Sequence, residues 1–578
     1  MKIVQQLQDS TFSRFNVFSI LKSLNPAILL LFAIIVLSCR EDEENKPEQE
    51  KPVIEFAQTE YFVKTGERAT LVAIVENAIN PVFSWELNNV VISTGLECLF
   101  NENNVGEYFI DFRVEAKNGS AERQLKVTVL DKVLPFIDMD SLVVAFAGVR
   151  KEIKANVLHA ENAVYEWRRN DVIISETDLC IIDGATVGTQ SLTLKVTNDD
   201  GYTVKQFLLN VLPKPAPAMF FDDGRYRLTN DNRTACMSVP LGKSLVLAPV
   251  ICNFNSDEAI FQWDVDNVAQ SSTSEFFTFS PNAKGKYRIK VTTTVSAQVC
   301  VAEADIECVE PEGTYFRTAT TGNKAKAVTA FEYIPSPGQF INYQAGSTAE
   351  NARAELQNLL DANTNSWISL GSFGGYYIAG FDHSVRNVEN KADIMINGNA
   401  FAGSSEPGIV WVMQDENGNG LPDDTWYELA GSDSESAETK RRYALTYYKP
   451  DKAGRSIRWV DNLMNTGTVA INGYHTQQSY FPMFIESDYV LCGTCLKSNV
   501  EFGDIVYLGG FAWGYVDNFG NGSRPNNEFR IEDAMQTDGS PANLKHIDFV
   551  KVYTAMNAAA GNLGEISCET GAPVDMNF

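Results

Sequence analysis

The chain has 578 residues, too many for one hydrophobic core, so about three to five domains are expected. A composition of 44% hydrophobic and 21% charged residues excludes wholesale disorder. The formal charge of −27 would repel a phosphate backbone and argues against a nucleic-acid partner, and four histidines (His159, His383, His475, His546) leave little for imidazole catalysis or a poly-His zinc site.

At the amino terminus, "AILLLFAIIVL" (27–37) follows Lys2, Arg14 and Lys22. Eleven apolar residues are too few to span a bilayer and match the apolar region of a signal peptide, so residues 1–38 are expected to direct export. The sequence "VLSCRED" then resembles the lipobox of bacterial lipoproteins, which implies that Cys39 is lipidated and that the membrane is met through a lipid anchor only. An ordinary signal peptide with an incidental Cys is the alternative. Residues 39–51 are charged and free of large apolar side chains, an acidic tether. An acidic run behind the lipid-bearing Cys resembles the surface-export signal of Bacteroidota lipoproteins, which implies a place in the outer membrane facing the exterior. Removal of residues 1–38 leaves a charge of about −29.

Three segments then repeat: "FSWELNNVVISTGLECLF" at Trp85, "YEWRRNDVIISETDLCII" at Trp167 and "FQWDVDNVAQSSTSEFFTF" at Trp263. Each Trp is followed 21 or 22 residues on by a Gly (Gly106, Gly188, Gly285) that opens an alternating strand. Each unit is expected to be a small antiparallel sandwich around a core Trp, over residues 52–131, 132–213 and 214–312. They resemble the PKD-like and Ig-like modules of bacterial surface proteins, which implies spacers. Cys98 and Cys180 stand 13 residues after their Trp, where the third repeat has Phe276, so they are expected to be buried hydrophobes. Cys236, Cys252, Cys300 and Cys308 allow one or two disulfides or free thiols. Cys492 and Cys495 ("CGTC") read as a structural or closed disulfide, with redox chemistry as the alternative.

Residues 313–578 hold five of the eight Trp and no further repeat. One helix is predicted at "STAENARAELQNLLDAN", with Ser347 and Glu350 as a capping box. Strands are predicted at "GGYYIAGFDH", "KADIMINGNAF", "GIVWVMQ", "RRYALTYY", "GDIVYLGGFAWGYV" and "HIDFVKVYTAM". The fold class is mainly β: three Ig/PKD-like β-sandwich modules, then a jelly-roll-like sandwich with one short helix.

Within it, "DENGNGLPDD" sets Asp415, Asn417 and Asn419 at positions 1, 3 and 5 of a calcium loop, Gly420 at 6, the Leu421 carbonyl at 7 and Asp423 at 9. Position 12 is Trp426, so Asp424 or a distant acid such as Glu406 must complete the shell. A metal-free polar hairpin is the alternative, and bound calcium would be structural, pinning the arms that carry Trp411 and Trp426-Tyr427. Phe511, Trp513 and Tyr515 alternate on one predicted strand, before a loop with Arg524. With Tyr376, Tyr377 and Trp426 they form a candidate ligand surface, unless the rings are core. Carboxylates such as Asp382 and Asp517 could serve an enzyme, but no nucleophile, base and orienter set is visible, so binding is favoured over enzymatic activity.

The motifs "SLGSFGGYYIAGFDH", "DIMINGNAF", "SEPGIVWVMQDENGNGLPDDTWYELAGS", "NLKHIDFVKVYTA" and "LGEIS" are similar to those of Bacteroidota surface lipoproteins that bind vitamin B12 beside TonB-dependent corrinoid transporters. The resemblance implies capture of cobalamin or a related cobamide by residues 313–578 for delivery to such a transporter. Aromatic area with amide-rich loops suits a corrin ring, while calcium with exposed aromatics also suits a calcium-dependent glycan-binding lipoprotein.

Overall fold

The computed structural model describes residues 50–578 apart from 131–133, 364–365, 473–474, 476–478, 503–505 and 522–526. The expected signal peptide, Cys39, most of the tether and Arg524 lie outside the described residues. The chain divides into two compact units, up to Val133 and from Leu134 onward.

The first unit is one sandwich. Its five-stranded sheet runs Glu60–Lys64, Gly119–Leu130, Gly106–Ala116, Val82–Leu87, Val90–Ser93, with the first pair parallel. It faces a three-stranded sheet of Val53–Phe56, Ala69–Glu76 and Glu97–Phe100. Alternation sets the packing: in Gly106–Ala116, Ile110, Phe112 and Val114 point inward and close on Trp85. Trp85 donates its indole N–H to the Gly95 carbonyl at 3.0 Å, so the buried donor is satisfied.

The second unit repeats this sheet twice before its large domain, around Trp167 and around Trp263. In all three sandwiches the strand bearing the Trp turns back through two residues with positive φ: Asn88-Asn89, Asn170-Asp171 and Asp266-Asn267. That is the backbone of a type I′ hairpin, which Asn and Asp tolerate better than other side chains. Cys98 and Cys180 are fully buried in these cores. In the third repeat Phe277 takes the place expected for Phe276: it stacks on Trp263 at 5.0 Å, while Phe276 lies under the Arg442 guanidinium.

The large domain is built on an antiparallel six-stranded sheet in the order Thr329–Ile334, Tyr376–Arg386, His546–Thr554, Gly408–Met413, Trp426–Leu429, Ala534–Met535. Both faces are covered, which explains why His546–Thr554 is buried at every position. Tyr377, Ala379 and Phe381 face a core shared with helix Ala349–Asp361, while Tyr376 and Ile378 face a second core under a five-stranded sheet. A five-residue helix, Ile341–Ala345, precedes the predicted one. The cap of the longer helix is Thr348, whose hydroxyl accepts from the Asn351 N–H, and the Ser347–Glu350 capping box is not formed.

The third module and the large domain interlock. The five-stranded sheet, order Arg227–Leu228, Tyr489–Cys495, Lys440–Tyr447, Ile457–Asp461, Thr466–Val469, takes its edge strand from the third module. Gly224, at φ +78°, brings its Cα against the Trp426 ring. Its carbonyl accepts from the buried Lys551 ammonium at 2.7 Å, which lies over the rings of Tyr376, Trp411 and Tyr553. The second module joins through Thr466 Oγ1 donating to the Val144 carbonyl, Lys151 to the Thr466 carbonyl, and Thr468 to Asp140.

The disulfide expected between Cys492 and Cys495 needs correction, and of the alternatives for the third module's cysteines the structure has the free thiols. All nine described cysteines are free thiols. Cys492 and Cys495 sit three apart in one strand, so their side chains leave opposite faces about 10 Å apart along the chain, and they join different cores.

Candidate functional site

The Asp415–Asp424 loop joins strands Gly408–Met413 and Trp426–Leu429. Asp415 Oδ2 accepts from the Gly420 N–H at 3.1 Å, Asn417 Oδ1 from the Asn419 N–H at 2.9 Å, and Asn419 Oδ1 from the Leu421 N–H at 2.7 Å. These bonds curl the chain between Asp415 and Leu421. Asp423 closes the loop, receiving both Asn side-chain amides at 3.0–3.1 Å. Gly418 and Gly420 carry φ of +74° and +75°, and a Cβ at Gly418 would strike the Tyr315 ring.

Three acids of this loop are buried and form no ion pair with the described residues, although Arg317 and Lys243 act on Asp415 and Glu416 from a distance. Asp415 is 5% exposed, Glu416 6% and Asp424 2%, and Asp415 Oδ1, Glu416 Oε1 and Asp424 Oδ1 have no hydrogen-bond partner. Desolvation, and then the neighbouring Asp424, push Glu416 up to about 8; desolvation pushes Asp424 up to about 7. Asp415 is raised by desolvation and by the nearby Asp548.

Glu406, one of the two acids expected to complete the loop, belongs elsewhere. Its carboxylate lies within 4.8 Å of those of Asp517 and Glu569. Asp517 Oδ1 accepts from the Asn399 and Ala400 N–H groups at 2.7 Å and Oδ2 from the Glu569 N–H at 2.9 Å. Glu406 accepts from the Ser567 N–H, and Glu569 from the Ser369 and Ser567 hydroxyls. Desolvation raises all three; repulsion from Glu569 and Asp517 adds to it at Glu406 and repulsion from Glu569 adds to it at Asp517, while hydrogen bonds from Ser369, Glu406 and Ser567 oppose it at Glu569, and the cluster ties distant segments of the chain together. Asp517 is therefore no free carboxylate. His383 is held at 2.9 Å by Asp382 on one ring nitrogen and by Asp575 on the other, which leaves neither nitrogen for a substrate.

The predicted aromatic surface is largely overturned. Tyr376, Tyr377, Phe511 and Tyr515 are core side chains, and Trp426 is half-buried against Gly224. Residues 509–517 do not form the expected strand: Asn518 exchanges hydrogen bonds with the Phe511 N–H and carbonyl, 2.7 Å each, and closes a tight loop instead. Of the predicted rings only Trp513, at 43%, is exposed. The structure adds three that were not expected. Phe502 and Tyr507 stand exposed on the hairpin of Val500–Glu501 and Tyr507–Leu508, and exposed Phe401 opens the loop that bridges to Leu508 through Ser404. Gly403 lets the Tyr507 ring lie on that loop, since a Cβ there would meet it at 3.0 Å. These single aromatics carried no periodic signal in the sequence.

The PKD-like domain family matches residues 51–118. No curated protein matches the chain. Among solved structures, similarity is found to the fibronectin(III)-like modules of Clostridium thermocellum CbhA, at 15% identity over 28% of this chain and 95% of that one, with a TM-score of 0.16. Extracellular domains 3–5 of Drosophila OTK match at 10% identity over 46% and 98%, TM-score 0.16. The titin I-band fragment I67-I69 matches at 12% over 44% and 97%, TM-score 0.14. With its three Trp-centred sandwiches, the chain is an Ig/PKD-like repeat protein.

Proposed function

We propose that this chain is a lipid-anchored outer-membrane protein, exposed to the exterior, that captures vitamin B12 or a related cobamide and hands it to a TonB-dependent transporter. The lipobox-like Cys39, the acidic tether and the motifs of residues 313–578 support the reading. The observation that carries it is the group of exposed rings Phe401, Phe502 and Tyr507 on two loops bridged to each other, with Trp513 exposed on the following segment. A corrin ring offers a broad apolar face with an amide rim, and rigid aromatic area is what such a face requires. The groove of about 260 Å³ lined by Phe146, Val149, Arg150 and Met464 is too small for a macrocycle.

The test is calorimetric titration of the full chain in detergent with cyanocobalamin and, separately, with a glycan panel. Cobalamin binding supports the reading. Glycan binding without cobalamin binding replaces it with the calcium-dependent lectin. Surface proteolysis of intact cells, with Cys39→Ala as comparison, tests the location: wild type is digested from outside, and a protected wild type contradicts exposure.

A further inference from the structure

The acidic loop does more than join two strands, because its rim grips the third module. Glu416 Oε2 accepts from the Ser238 hydroxyl, Thr425 Oγ1 donates to the Ser238 carbonyl, and the Ser238 N–H donates to Thr425 Oγ1 at 3.1 Å. Arg225 donates to the Pro422 carbonyl at 3.1 Å, and Gly418 lies against Tyr315, in the segment that follows the third module. All these contacts radiate from a turn holding Asp415 Oδ1, a buried carboxylate oxygen without a partner whose twin, Oδ2, is tied across the loop to Gly420. An anionic oxygen so buried needs a proton or a cation.

We propose that residues 415–423 bind one Ca²⁺ ion, and that the ion locks the third module onto the large domain. Asp415 Oδ1, the side-chain oxygens of Asn417 and Asn419 and the Leu421 carbonyl are the direct ligands, and Asp423 acts through a bridging water, as position 9 commonly does. Hard oxygen donors in this order suit Ca²⁺ over softer metals. Asp424, which like Glu416 is a buried loop carboxylate with an unpaired oxygen, takes the closing position, since Glu416 reaches out to Ser238 and Glu406 is committed to Asp517 and Glu569. Neutralising Asp415 fixes the turn, and the turn fixes the two residues that clasp Ser238. The inference is independent of what the aromatic surface binds.

The experiment is calorimetric titration of the chelator-treated full chain with CaCl₂, paired with hydrogen exchange at the Ser238 amide. One site is expected, in the 10⁻⁴–10⁻³ M range of extracellular modules, on the order of magnitude typical there. Calcium should slow exchange at Ser238. Asp415→Asn should weaken binding at least about tenfold and abolish the slowing. Asn419→Ala, at an exposed position, should weaken binding while leaving the fold intact, and carries the test if Asp415→Asn does not fold. No heat at about 10 mM calcium, or unchanged affinity in the variants, overturns the site. Binding without change at Ser238 overturns the lock.

Discussion

Trp513 and Tyr515 stand two positions apart and have opposite fates. Two-residue spacing puts both on one face only if the segment is a strand, and here the Asn518 bridge to Phe511 folds it into a loop. Tyr515 is 1% exposed and its hydroxyl accepts from the Asp433 N–H, so Tyr515→Ala should cost about 3–5 kcal/mol in denaturant unfolding. Trp513→Ala should change stability by no more than about 0.5 kcal/mol. The loop acids make a second residue-scale prediction. Glu416 and Asp424 titrate higher folded than unfolded, so the folded state binds their protons more tightly. Without metal, their contribution is fully present below about pH 4 and is lost as pH rises through about 7–8. The melting temperature in chelator should therefore fall across that window more steeply in wild type than in Glu416→Gln. Parallel profiles would contradict the assignment.

At the level of elements, long apolar strands were legible and short ones were not. Gly408–Met413, Lys440–Tyr447 and His546–Thr554 follow their apolar runs closely. The run at 391–401 shrinks to Ile394–Met395, because the Asn399 and Ala400 amides are spent on Asp517 instead of a neighbouring strand. Which face of Tyr376–Arg386 met solvent could not be read, since neither does and alternation separates two cores. The calcium-loop spacing was visible, whereas the Glu406, Asp517 and Glu569 staple joins residues with no common period. The docking of the third module was equally hidden, resting on pairs such as Ser238 and Thr425, 187 residues apart. That docking depends on Gly224, where a Cβ would lie 2.3 Å from the Trp426 ring at φ +78°. Gly224→Ala should destabilise the chain by about 2–4 kcal/mol, read by thermal or denaturant unfolding. A neutral result would mean that the module does not sit there.

For the whole molecule, the interlock changes what counts as a domain. Residues 313–578 looked separable because the Trp repeat stops there, yet they lack the edge strand Arg227–Leu228, the Gly224 carbonyl that holds Lys551, and the Ser238 clasp. A fragment of residues 214–578 should melt cooperatively, and one of residues 313–578 should be much less stable or fail to fold, as followed by circular dichroism. The third module, built like the two before it, is thus a structural part of the domain that follows it.

The most direct test of ligand capture is equilibrium titration of the full chain with cyanocobalamin, set beside the Tyr507→Ala, Trp513→Ala double variant. The account predicts saturable binding by the wild type and at least about tenfold weaker binding by the variant at an unchanged melting temperature, a loss of about 1.4 kcal/mol or more. No binding by the wild type, or equal binding by both, would contradict it.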